Sequence, residues 1–270
     1  MNQPGHLPSA DRLSVITAIL FLVYALASLV NLPIQEINIQ AFGSVYPLQL
    51  NLASIVAFMV AILAGLGADW LLRGHPGLKK QSTTQYLLIP AMTAWVLGVT
   101  LNTLRLSPQW WLIFALGMLL QVVVYTAEYI IVDLSDIRHI PAVMVLIAVS
   151  FALFLILATT VDASNARLYV LFPAVVTAMF LVSLRTLYLR LDGRWCFAWS
   201  IAIALIVGQI ALGLHYLPIG SLTFGLILAG SGYALTSLAA GIESQNKGIQ
   251  LWLEPGVMFT LIAVLALVLL

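Results

Sequence analysis

The sequence predicts an all-α fold: a polytopic bundle of transmembrane helices, about nine spans, with its N-terminus in the cytoplasm. Three observations predict it. Hydrophobic residues make up 62% of the 270 residues and charged residues only 8%, whereas a soluble chain is roughly half apolar and about a quarter charged. Nine stretches are continuously apolar over 19 to 23 residues, the length a helix needs to cross a bilayer. The eleven lysines and arginines alternate in step with those stretches. A mean hydropathy of +1.08 excludes a soluble enzyme, a disordered protein and a nucleic-acid binder. Barrel strands are excluded because they would be ~10 residues long and alternating.

The first span, 13–32, follows a poorly basic segment with two prolines. Ala25-Leu26-Ala27 has the small-x-small form of a cleavage site, but the apolar run continues through Leu32, so an uncleaved helix is expected. The connection 33–49 is the longest. Ile37, Ile39 and Ala41 alternate with Asn38 and Gln40, a strand-like or interfacial pattern on a surface connection. The second span, 50–72, ends in Asp69 and Trp70. The third, 84–104, opens on Tyr86-Leu-Leu-Ile-Pro90-Ala91.

The fourth span, 110–132, carries the leading candidate site. Gln121, Tyr125, Glu128 and Val132 fall at i, i+4, i+7 and i+11, one helical face. An ionisable group inside a span is costly and marks function by default. A buried cation, proton or headgroup site competes here with a plain ion pair. Asp133 and Asp136 follow. They resemble one weak copy of the aspartate-rich motif of membrane prenyltransferases, which needs further aspartates; Asp136 reads better as a cap for the fifth span, 140–161.

The sixth span, 168–188, opens on Tyr169-Val-Leu-Phe-Pro173-Ala174 and carries Arg185 one turn from its end. Arg185 is the expected partner of Glu128, with Tyr125 donating to the same carboxylate; an unpaired charge there would cost several kcal/mol. Arg190 and Arg194 read as topology and lipid-phosphate attraction. The seventh span, 195–214, leads to His215, a proton-handling candidate whose plainer reading is an interfacial histidine. The eighth, 221–241, contains Gly230-Ser231-Gly232-Tyr233. This resembles the serine motif of rhomboid proteases, but no histidine follows His215 to serve as base, so close helix packing is expected instead. The ninth, 252–270, opens on Glu254-Pro255, an acid and a proline at the helix start.

Orientation follows from the basic residues. Arg12, Arg73, Lys79, Lys80, Arg138, Arg185, Arg190, Arg194 and Lys247 fall on one side, Arg105 and Arg167 on the other. The crowded side is cytoplasmic by the positive-inside rule. Trp70, Trp110, Trp111, Trp195 and Trp252 fall at span ends, as an aromatic belt requires. The paired openings at Pro90 and Pro173 raise an inverted repeat of helices 3–5 and 6–8.

Net charge is +1, there is one cysteine, Cys196, and the four histidines are scattered. No disulfide, no metal site and no cofactor is expected. Leu72-Arg-Gly-His-Pro76, Glu128-Tyr-Ile-Ile-Val-Asp133, Ser183-Leu-Arg-Thr-Leu187 and His215-Tyr-Leu-Pro218 carry a resemblance across the whole chain. It resembles a family of uncharacterised bacterial multi-pass membrane proteins. That resemblance implies a bacterial inner membrane and brings no activity.

Three functions remain. The first is a transporter or a membrane-embedded small-molecule or lipid-binding protein using Gln121, Tyr125, Glu128, Arg185 and His215. The second is a non-catalytic assembly subunit with membrane-protein partners. The third, weakest, is an enzyme on lipid phosphates using Asp133 or Asp136. Membrane lipids are the expected surroundings, and no nucleic-acid partner is expected.

Overall fold

A computed structural model describes residues 7–29, 35–41, 44–50, 52–78, 83–104, 106–134, 136–191, 193–244 and 250–269. Lys79, Lys80, Arg105 and Lys247 of the charge count lie outside the described residues. Among the described residues the helices are α1 (Ala10–Leu29), α2 (Leu52–Leu72), α3 (Leu88–Thr103), α4 (Pro108–Ile130), α5 (His139–Ala163), α6 (Leu168–Arg190), α7 (Phe197–His215), α8 (Ser221–Glu243) and α9 (Gln250–Leu269). Each begins and ends within four residues of its expected span. Eight are long and apolar enough to cross a membrane, and α9 contributes the apolar segment Trp252–Ile262. The protein is an all-helical, multi-pass membrane protein.

One departure from pure helix is the first connection. Its alternating segment is a strand, β1 (Gln35–Ala41), paired antiparallel with β2 (Ser44–Leu50) in the register Gln35↔Leu50 through Ala41↔Ser44. The alternation is the period-2 signal of a strand. The sequence alone admits either a strand or an interfacial surface segment there.

The chain divides into two compact units, Met1–Asp133 and Leu134–Leu270. Helices 3–5 straddle that boundary, whereas helices 6–8 lie within the second unit, so the suspected repeat does not coincide with the packing. The two prolines also differ in role. Pro90 is the third residue of α3, where its missing N–H costs no helical bond. Pro173 lies inside α6.

In the first unit α2 packs on α3, α1 on α2, and α3 and α1 on α4. Ala57, Ala61, Ala64 and Ala68 make a buried small-residue stripe along α2. Without a hydrophobic drive between helices in lipid, close approach and polar contacts hold such faces together. Gly98 of α3 meets this stripe: a Cβ added there would lie 2.5 Å from the Ala57 Cβ. The outer faces carry Phe58, Leu66, Leu112 and Leu119, all more than half exposed, as a lipid-facing surface requires.

In the second unit α6 packs on α7 and α5, α5 on α8, and α8 on α7, α6 and α9. Leu146, Phe154, Leu171, Met179, Val207 and Leu228 form its interior. The expected packing role of the Gly-Ser-Gly segment holds. A Cβ at Gly230 would overlap the Ile262 side chain of α9, one at Gly232 would lie 2.5 Å from Met179 Cε, and the Ser231 hydroxyl donates to Leu228 O at 3.0 Å.

Candidate functional site

The polar face of α4 is buried: Gln121, Tyr125 and Glu128 are each 1% exposed. Two of the three are committed to neighbouring backbone. The Gln121 amide donates to Pro90 O of α3 at 3.3 Å. The Tyr125 hydroxyl donates to Ala64 O of α2 at 2.9 Å, not to Glu128 as expected. Tyr24 of α1 likewise donates to Ala94 O of α3. A carbonyl oxygen has a second lone pair beyond its helical bond, so these side chains lace four helices without breaking any. Tyr125→Phe should cost about 1 kcal/mol, the net worth of one such bond, read as a lowered unfolding temperature of the purified protein in detergent.

Arg185, on α6, is fully buried, and its guanidinium carbon lies 5.4 Å from the Tyr188 ring centre, a cation–π distance. Glu128 belongs to the first unit and Arg185 to the second. His215 is the last residue of α7, half-buried, its ring 5.6 Å from Tyr216 in an edge arrangement, as an interfacial histidine would be. It lies at the end of its unit remote from Arg190. At the start of α5 the N-cap is Arg138 rather than Asp136. The Asp136 carboxylate instead accepts from the Arg138 backbone N–H at 2.9 Å and from its guanidinium at 3.0 and 3.2 Å. Those bonds, the side-chain ones foremost, hold the Asp136 carboxyl below its ordinary range. Among the described residues no cluster of metal-ligating side chains occurs.

A site with room for a ligand lies within the second unit. The first turns of α5 and α9 and the last turns of α6 and α8 meet at one end of it. Between them is a cavity of about 780 Å³. One wall is apolar: Ile140, Val143, Met144 and Ile147 of α5, spaced at three and four residues, with Leu189 of α6. Ile140 and Met144 are about two-thirds exposed (66% and 65%), so this wall opens laterally.

The other wall is polar and internally bonded. Arg190 Nη2 lies 3.0 Å from Glu254 Oε1 and donates to the Tyr233 hydroxyl at 2.9 Å. Arg190 Nη1 donates to Ser237 Oγ at 3.2 Å. The Tyr233 hydroxyl donates to Glu254 Oε1 at 2.6 Å, and the guanidinium also lies 5.2 Å from the Tyr233 ring centre. Three helices thus converge on one cation. Tyr233 and Ser237 stand four residues apart on α8, hence on one face. His139, the first residue of α5, lines the same cavity, and its Nδ1 has no hydrogen-bond partner among the described residues.

The sequence reading missed this cluster. Arg190 read as a topology signal and Glu254 as a helix opener; in fact Glu254 is the fifth residue of α9, and Pro255 is inside it. The available signal was the Tyr233, Ser237 pair at helical spacing near a span end that also carries an arginine and a glutamate.

Residues 32–269 match the model of a family described as a protein of unknown function (DUF5656). No curated protein matches the chain, and no solved structure does.

Proposed function

The chain belongs to the DUF5656 family of unknown function, and from its own geometry we propose that it is a membrane-embedded binding protein for an amphipathic, lipid-like molecule. The observation that carries this reading is the two-faced cavity of about 780 Å³. Its apolar wall of Ile140, Val143, Met144 and Ile147 suits a hydrocarbon chain. Its polar end at Arg190, Tyr233 and Glu254 suits a headgroup. Ligand sites are commonly concave, largely apolar and furnished with few polar groups that fix orientation. The lateral opening at Ile140 and Met144 gives a lipid direct access from the bilayer.

Positive-inside asymmetry supports a cytoplasmic position for this end of the unit. Arg138, Arg190 and Arg194 flank α5, α6 and α7 there, and Arg167 stands at the opposite end. The host membrane on this reading is the bacterial inner membrane. Uptake or release of the bound molecule would extend the same site to transport. The polar groups of α4 support a structural role instead, since Gln121 and Tyr125 are spent on backbone carbonyls.

The test is native mass spectrometry of the full chain purified in mild detergent, with extraction and identification of the bound molecule. A bound amphiphile is expected in the unmodified protein. Met144→Trp, at an exposed position on the apolar wall, sets a bulky ring against the chain-binding surface without disturbing the core and should weaken retention of that amphiphile while leaving the unfolding temperature within a few degrees. Equal retention in both proteins would overturn the assignment.

A further inference from the structure

We infer that the polar end of the cavity selects a zwitterionic headgroup, a phosphate joined to a primary ammonium, as in phosphatidylethanolamine. This rests on the cavity being a lipid site and goes on to say which lipid.

Tail contacts cannot make the choice. A hydrocarbon chain leaving the bilayer for the wall of Val143, Met144 and Ile147 exchanges one apolar surrounding for another, so there is little hydrophobic gain between membrane components. Discrimination falls to the headgroup.

The charged pair that meets the headgroup is neutral as a unit, Arg190 against Glu254 at 3.0 Å. A purely anionic headgroup would have to take Arg190 from Glu254 and would set two negative groups side by side. Like charges at such separations are strongly unfavourable away from bulk water. An uncharged headgroup would engage neither partner. A zwitterion lengthens the pair in both directions, phosphate toward the guanidinium and ammonium toward the carboxylate, with no charge left over.

Both partners retain capacity for it. The hydrogen bonds of the Arg190 guanidinium run from Nη1 and Nη2, and its side chain is 20% exposed. The Glu254 side chain is 49% exposed, and its Oε2 is held from Arg190 only at 3.5 Å. His139 Nδ1, without a partner among the described residues, adds a polar group on the same cavity.

The choice of a primary over a quaternary ammonium follows from the same side chains. A primary ammonium donates N–H bonds, which a carboxylate oxygen accepts. A trimethylated one has no N–H and is recognised by cages of several aromatic rings. Among the described residues the cavity is lined by one phenol ring, Tyr233, and one imidazole, His139, too few rings for such a cage.

The experiment titrates the full-length protein in detergent with phosphatidylethanolamine, phosphatidylcholine and phosphatidylglycerol of identical acyl chains, reading bound lipid by native mass spectrometry. Phosphatidylethanolamine should bind about tenfold more tightly than either of the others, equivalent to about 1.4 kcal/mol. Glu254→Gln should erase its advantage over phosphatidylcholine while lipid binding continues. If the three lipids bind equally, or phosphatidylglycerol binds best, the zwitterion assignment is overturned. The cavity reading then survives provided Met144→Trp weakens all three together. If Met144→Trp weakens none, the cavity reading falls as well. The wild-type comparison decides the matter even if Glu254→Gln does not fold.

Discussion

Glu254→Ala should lower the stability of the purified protein by about 2 kcal/mol and Arg190→Ala by a similar amount, with the double variant costing less than their sum. Removing one partner of a buried pair usually costs ~3–5 kcal/mol, because the other charge is left without compensation. Here the Glu254 side chain is 49% exposed and that of Arg190 is 20% exposed, so solvation at the interface recovers part of the loss. The double variant removes both charges and strands only the Tyr233 and Ser237 hydroxyls. Non-additivity is expected for groups in one hydrogen-bonded network. Thermal unfolding of all three variants in the same detergent checks this. Strict additivity would mean that the α6, α8 and α9 side chains do not form the cluster described above.

Gly98→Ala is the second large effect. The added Cβ would lie 2.5 Å from the Ala57 Cβ, 3.0 Å from the Ala57 Cα and 3.1 Å from the Tyr24 hydroxyl. None of the first two contacts is a flexible side-chain end, so α2 and α3 must separate. Overpacking a tight contact costs ~1–3 kcal/mol. The shift should propagate to the polar laces, because Tyr24 reaches from α1 to Ala94 O of α3 and Tyr125 from α4 to Ala64 O of α2. Gly98→Ala combined with Ala57→Gly should recover much of the loss, since the second change removes the atom that the first one meets. A drop in unfolding temperature that Ala57→Gly does not reverse would count against the packing described for α2 and α3.

The helices were legible in the sequence because hydrocarbon imposes a length and a composition that no other surrounding does. The helix α5 shows this most clearly: expected over 140–161, it runs His139–Ala163. The shared face of Gln121, Tyr125 and Glu128 was legible for the same periodic reason, and all three are buried. What they bond to was not. Backbone carbonyls such as Pro90 O and Ala64 O carry no sequence signal, so a buried tyrosine sewing two helices reads the same as one facing a cavity. The ligand cavity was harder still. Arg190 and Glu254 are 64 residues apart, and each alone has an ordinary explanation at a span end. Only the packing of α8 against both α6 and α9 brings them to one hydroxyl. The hairpin sat between these cases, its alternation visible and its partner strand disguised by Pro47.

That hairpin serves as a depth mark. β1 and β2 pair with each other in a two-stranded sheet, so each has an outer edge of backbone N–H and C=O groups. Hydrocarbon cannot satisfy such edges, which confines the strands Gln35–Ala41 and Ser44–Leu50 to water or headgroups. Pro47, opposite Asn38, removes one donor and blunts its edge against pairing with a second chain. The adjoining ends of α1 and α2 must therefore surface at the same interface. At ~1.5 Å per residue, 20 and 21 residues carry each helix ~30 Å, the thickness of the hydrocarbon layer. The far ends then arrive at the opposite headgroups with nothing to spare. There Arg12 lies over the Trp70 ring at 5.3 Å, an anchor of aromatic and cation whose depth the hairpin sets from across the bilayer.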